Sequence, residues 1–254
     1  MIEIQSPKQI ERIRYVGSIV GDVLRQMRHM AVAGVRLRTL NREATQAIRA
    51  RGASPAFLGY EGFPATLCLS LNDEAVHGLP RWRKLKEGDL LSIDCGVAFE
   101  GLYADSAITV LIGNCDERVQ TLVTQTQQAL QAGIDACQVG SRLGDVGAAI
   151  EAVAEAAQLG VVRSYCGHGI GTALHQDPQV PNWGPAGQGP KIEPGWCLAI
   201  EPVLTLGTPQ VITRSDNWTV ATRDGKKAAH FEMMVACTEQ GPQILSLTSD
   251  GQWP

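Results

Sequence analysis

A chain of 254 residues, 44% of them apolar, can bury a sizeable core. Its net charge of −4 argues against nucleic acid as the main partner, since a phosphate-binding face needs a basic excess. No stretch approaches the roughly 18 apolar residues of a membrane-spanning helix, and seven widely spaced cysteines without a C-x-x-C point to reduced thiols rather than a disulfide scaffold or a thiolate zinc site.

In chain order, charges from Glu3 onward leave no apolar signal core, so the expected location is the cytoplasm. Ser6-Pro7 reads as a helix start, with apolar residues at Ile10, Ile13, Val20, Leu24 and Met27 and a stop at Gly34. A second helix is predicted from Thr39 to Gly52, and strands over 64–111. Within that stretch Arg81, Arg83, Lys84 and Lys86 form a basic run, read as a solvated loop. Asp116 opens a third helix with Val119, Val123, Leu130, Ile134 and Cys137 on its apolar side, a fourth runs from Asp145 to Gly160, and strands follow from 163.

The order helix, helix, strands therefore occurs twice. Gly34-Val35-Arg36-Leu37-Arg38-Thr39-Leu40 matches Gly140-Ser141-Arg142-Leu143-Gly144-Asp145-Val146, and KLKEGDLLSID (84–94) matches KIEPGWCLAIE (191–201). Thr39 and Asp145 are the expected N-caps. Two matches in the same order at nearly the same offset indicate an internal duplication. The expectation is one catalytic domain over 1–254, with pseudo-repeats of about 1–115 and 116–254. Its fold class is mixed α/β (α+β), an antiparallel sheet core flanked by helices.

Asp94 ends the apolar run LLSID, and Asp105 lies eleven residues on, past a predicted hairpin turn at Glu100-Gly101. Positions an odd distance apart share a face across such a hairpin, so the two aspartates become near neighbours. Two ionised carboxylates so placed repel, and a divalent cation removes the conflict. Glu201 is the repeat partner of Asp94, and Glu232 in HFEMMV is the natural counterpart of Asp105. Four carboxylates would balance two divalent cations, and oxygen-rich ligation favours ions such as Mn, Fe or Co. Of the five histidines, His168 lies between glycines that permit close backbone approach, and becomes a candidate ligand beside such a centre. His29 and His230 are read as structural or exposed.

These residues resemble a known family. GYEGFPATLCLSLNDEAVHG, SIDCGVAFEGLYADSA, CGHGIGTALHQDPQVPN, AIEP and HFEMMVACTEQG are similar to the motifs of type I methionine aminopeptidases, which have the duplicated, pseudo-two-fold "pita-bread" metallopeptidase fold. The resemblance implies hydrolysis of the initiator methionine from nascent proteins and peptides with a small second residue, through a hydroxide bridging two divalent ions. Asp94, Asp105, His168, Glu201 and Glu232 would be the ligands, with Asp105 and Glu232 bridging. His77, His175 and Glu201 would serve catalysis. Tyr60, Phe63, Cys68, Leu174 and Trp218 would line the methionine pocket together with His77 and His175, with Phe57 at its edge. The implied partners are nascent N-termini with transient ribosome contact. Neither a membrane nor a specific nucleic acid is expected, and the chain is expected as a monomer. Three positions depart from the family pattern: Ala104-Asp105-Ser106 stands for Gly-Asp-Thr, Leu174 for a Phe, and Met233-Met234 for His-Thr.

Overall fold

The structure is a computed structural model that describes residues 2–254; Met1, the first residue of the expected domain, lies outside them. Among the described residues, four α-helices cover antiparallel sheets. Helix α1, Pro7–Met30, starts where Ser6 and Gln9 close a reciprocal cap, the Ser6 amide donating to Gln9 Oε1 at 2.8 Å. Its buried stripe of Ile13, Val16, Val20, Leu24 and Met27 packs on the hairpin of residues 90–111. Helix α3, Glu117–Ala136, is capped by Asp116, whose carboxylate accepts from the Val119 amide at 3.0 Å. It packs against α4.

Helices α2, Leu37–Ala50, and α4, Leu143–Ala156, begin two residues before the predicted N-caps. The N-cap positions are Arg36 and Arg142, and Thr39 and Asp145 sit inside the first turn. The reason is tertiary: Arg36 bridges to Lys84 and Arg142 to Lys191, which fixes where each chain enters its helix. Asp145 still serves the helix start, accepting from the Arg142 amide at 2.7 Å. The two bridges join corresponding ends of the two sequence matches.

The strands Leu90–Phe99 and Leu102–Leu111 pair in unbroken register from Leu90↔Leu111 to Phe99↔Leu102. Glu100 and Gly101 turn the hairpin with φ of 48° and 77°, the conformation a two-residue turn of this hand requires. Strand Leu67–Leu71 pairs on the other edge of 90–99 and sets Cys68 opposite Asp94. In the second half a five-stranded antiparallel sheet runs in the order 241–244, 233–238, 197–200, 167–169, 176–180. The halves join at Glu232, whose amide donates to the Ala107 carbonyl at 2.9 Å while its own carbonyl accepts from the Ala107 amide at 3.3 Å. No helix among the described residues is long and apolar enough to cross a membrane.

Candidate metal centre

The seam between the halves carries the carboxylates. Because Asp94 faces Ala107 and Asp105 faces Gly96 across the hairpin, the two aspartates lie diagonally on one face. Glu201 follows strand 197–200, and Glu232 precedes strand 233–238, where Met233 pairs with Ile200. His168 pairs with Ala199 on the neighbouring strand. Its placement depends on the flanking glycines: a Cβ on Gly167 would lie 2.2 Å from the Ala199 carbonyl oxygen, and one on Gly169 would lie 2.1 Å from that of Asp177.

Three groups of possible ligand atoms meet there among the described residues, Asp94–Asp105–Glu232, His168–Glu201–Glu232 and Asp105–His168–His175, each with its atoms within 4.8 Å of one another. His168 Nε2 lies 3.7 Å from Glu201 and 3.9 Å from Glu232. His168 Nδ1 sits 3.0 Å from the Gly169 carbonyl, so its N–H donates there and leaves the Nε2 lone pair facing the carboxylates. Asp94 Oδ1, Asp105 Oδ1 and Glu232 Oε1 are buried without a hydrogen-bond partner among the described residues.

Burial pushes Asp94 up to about 7, and burial followed by the repulsion of neighbouring carboxylates pushes Asp105, Glu201 and Glu232 well above the usual range. Burial moves the histidines the other way, His168 and His77 to about 4 and His230 to about 3. The centre thus holds four acids that resist ionising and an imidazole with a free lone pair. Bare, it is an unfavourable arrangement; divalent cations fit it, because they supply the missing charge and take the orphaned oxygens as ligands.

A cavity of about 620 Å³ opens onto this centre. Phe57, Tyr60, Phe63, Cys68, His77, His175 and Trp218 line it beside Asp94, Asp105, His168, Glu201 and Glu232. The Phe63 ring stands edge-on to Trp218 at 5.1 Å and to Phe57 at 6.5 Å. His175 lies 4.4 Å from the His168 ring, with its Nδ1 2.9 Å from the Tyr60 hydroxyl.

The chain matches the family described as "Metallopeptidase family M24" over residues 11–239. It is 44% identical over 248 residues to a methionine aminopeptidase of Clostridium acetobutylicum, covering 97% of this chain and 99% of that one. A methionine aminopeptidase 1 of Mycobacterium tuberculosis is 45% identical over 250 residues, with 96% and 94% covered. This chain belongs to the methionine aminopeptidases. A crystal structure of the methionine aminopeptidase from Rickettsia prowazekii superposes with a TM-score of 0.96 at 34% identity, covering 97% of this chain and all of that one. Membership in this metallopeptidase family makes the chain a metal-dependent aminopeptidase with the pita-bread fold.

Of the residues that resemblance to methionine aminopeptidases assigned to the pocket, Leu174 is not among those lining the cavity. It is 2% exposed and packs in the main apolar core, whereas the next residue, His175, lines the cavity. His230, read as structural or exposed, is buried with Nε2 3.7 Å from Glu201 and without a hydrogen-bond partner among the described residues. Its signal was available: His230 and Glu232 are two apart, the spacing that shares one face of an extended chain. Tyr165, Cys166 and Gln179 also line the cavity and drew no attention in the sequence. The basic run is not simply solvated: Arg83 pairs with the buried Glu74, and Arg81 with Asp216.

Proposed function

We propose that this methionine aminopeptidase removes the initiator methionine from nascent polypeptides with a small second residue. In this reading it acts in the cytoplasm as a monomer in passing contact with the ribosome, with neither a membrane nor a specific nucleic acid as partner. It uses two divalent cations held by Asp94, Asp105, His168, Glu201 and Glu232. The observation that carries this reading is the set of orphaned carboxylate oxygens buried beside an apolar cavity. Asp105 and Glu232, 3% and 2% exposed, lie at the seam, and in this reading they would be the ligands shared by both ions. Oxygen-rich ligation favours Mn, Fe or Co.

When bound, such cations lower the pKa of a water and polarise the scissile carbonyl. The chain's own groups do the rest. Glu201 keeps 15% of its side chain exposed toward the cavity, where it can pass a proton from the attacking water to the leaving amine. Burial holds His77 and His175 below their ordinary values, so both are neutral near pH 7 and can donate an N–H to the developing oxyanion. Tyr60 fixes the His175 ring through the hydrogen bond at Nδ1. Phe57, Phe63, Cys68 and Trp218 present ring and sulfur surfaces that suit a thioether and exclude charged side chains by desolvation.

The test is a series of X-Ala-Ser peptides incubated with purified protein under each of several defined metals. Methionine should be released fastest, with norleucine-like residues accepted. Faster release of proline, aspartate or lysine would overturn the methionine assignment.

A further inference from the structure

A second cavity, of about 520 Å³, lies next to the first and shares Tyr165, Cys166 and Gln179 with it. From there it runs past Arg163 and Pro181 to Trp183. Nothing in the reading of the metal centre uses these outer residues.

An aminopeptidase has one substrate residue ahead of the scissile bond. Everything after that residue must leave the centre through an opening. Phe57, Phe63, Cys68 and Trp218 close one side with apolar surface, whereas Tyr165, Cys166 and Gln179 connect the centre to open groove. We propose that this groove is an extended binding site for the third and following residues of the substrate chain. The proposal rests on the aminopeptidase reading and adds the part of the peptide that the groove recognises.

Three features suit an extended peptide. Gln179 lies on strand Gln176–Val180, the edge of the five-stranded sheet, and pairs directly with His168. Its side chain is exposed and makes no hydrogen bond among the described residues, so its amide is free to meet a peptide group leaving the centre. Trp183, 38% exposed, offers an aromatic platform four residues further on. An extended chain covers at most about 3.5 Å per residue, so no more than about four substrate residues reach from Gln179 to Trp183.

The platform is built rather than loose. The Arg163 guanidinium stacks 4.6 Å from the Trp183 ring centroid and pairs with Glu151 at 2.9 Å. The other Glu151 oxygen accepts from the Gly184 amide at 2.9 Å. Helix α4 presses against the same loop so closely that a Cβ on Gly147 would lie 2.7 Å from the Trp183 carbonyl oxygen. A rigid aromatic surface costs little ordering when a peptide settles on it.

The experiment compares Met-Ala-Ser-amide with Met-Ala-Ser-Phe-Ser-amide on metal-loaded enzyme, reading kcat and KM separately. In the wild type the longer peptide should have the higher kcat/KM by about fivefold or more, mainly through KM, as expected for an aromatic anchor. Trp183→Ala should bring that ratio close to one. Gln179→Ala, a substitution at an exposed site, should lower it as well, and keeps the test valid if Trp183→Ala proves unstable on thermal melting. Equal kcat/KM for the two peptides in the wild type would overturn the groove, as would a length advantage that survives in both variants. Failure to release methionine from the tripeptide itself would instead overturn the aminopeptidase reading, so the two failures are distinguishable.

Discussion

In the first half of the molecule Asp94 and Asp105 sit within two ten-residue strands joined by a two-residue turn, whereas in the second Glu201 and Glu232 lie just outside the ends of two short strands, with a long excursion between them. The hairpin sets its pair by local register alone. The second pair depends on tertiary contacts: Glu232 is anchored through its backbone to Ala107 of the other half. The side chains follow that difference. Rigid strands that pass through the centre use the shorter aspartate, and chain ends that stop short of it use glutamate, which reaches further.

The largest effect expected from breaking this arrangement is at the seam. Asp105→Asn or Glu232→Gln should lower methionine release by more than about 100-fold while the fold survives, because each removes a charge that metal binding requires. Turnover with defined metal, together with circular dichroism, checks it; near wild-type turnover in either variant would refute the bridging role.

Exchanging the side-chain lengths sharpens the comparison. Asp94→Glu and Glu201→Asp each keep the charge but move it by about 1 Å, which can cost on the order of 100-fold in rate. Their stabilities should differ. Asp94→Glu adds a methylene within a buried strand and should cost about 1–3 kcal/mol, while Glu201→Asp, which faces the cavity, should melt close to the wild type. Equal melting temperatures for both would contradict the account of why the two halves use different acids.

His77→Ala and His175→Ala should each lower kcat by about 10- to 1000-fold, in proportion to the lost stabilisation of the oxyanion, yet retain metal. Metal analysis of the purified variants decides between this and ligation.

The smallest effect concerns the rim. Burial alone would raise Asp216, but the Thr219 hydroxyl, the Trp218 and Thr219 amides and Arg81 outweigh it and hold the carboxyl well below its ordinary range. A carboxylate lowered in the folded state stabilises at pH values above its unfolded value of about 3.9, and that contribution is lost as pH falls further. Asp216→Asn should therefore melt below the wild type near pH 7, and the gap should shrink below about pH 4. A gap independent of pH would mean that the charge is not what orders the loop carrying Trp218.

What could be read in the sequence follows the same division. The hairpin, its turn and the shared face of Asp94 and Asp105 were legible because period-two register and a Glu-Gly turn are local properties. So were the caps at Ser6 and Asp116. The starts of α2 and α4 were misplaced because distant bridges to Lys84 and Lys191 set them. The surroundings of Leu174 and His230 were not legible for a related reason: whether a side chain enters a cavity or a core depends on what packs around it, and single positions carry no record of that. Arg81 and Arg83 likewise looked solvated because their acidic partners, Asp216 and Glu74, are not recognisable as such from spacing.

Behind the seam, two of the segments singled out in the sequence, Ala104–Ser106 and Met233–Met234, touch one another. The Asp105 amide donates to the Met234 sulfur at 3.2 Å, and Ser106 Oγ lies 3.6 Å from the Met233 sulfur while donating to the Glu232 carbonyl at 2.5 Å. Ser246 closes the set, donating to the Met233 sulfur at 3.1 Å and accepting from the Met234 amide at 3.0 Å. Residues far apart along the chain therefore share one set of hydrogen bonds. A chimaera that kept Ala104–Ser106 but replaced Met233 and Met234 would take the sulfur acceptors away from the Asp105 amide and the Ser106 hydroxyl. The boundary of any such exchange must keep both segments on the same parent.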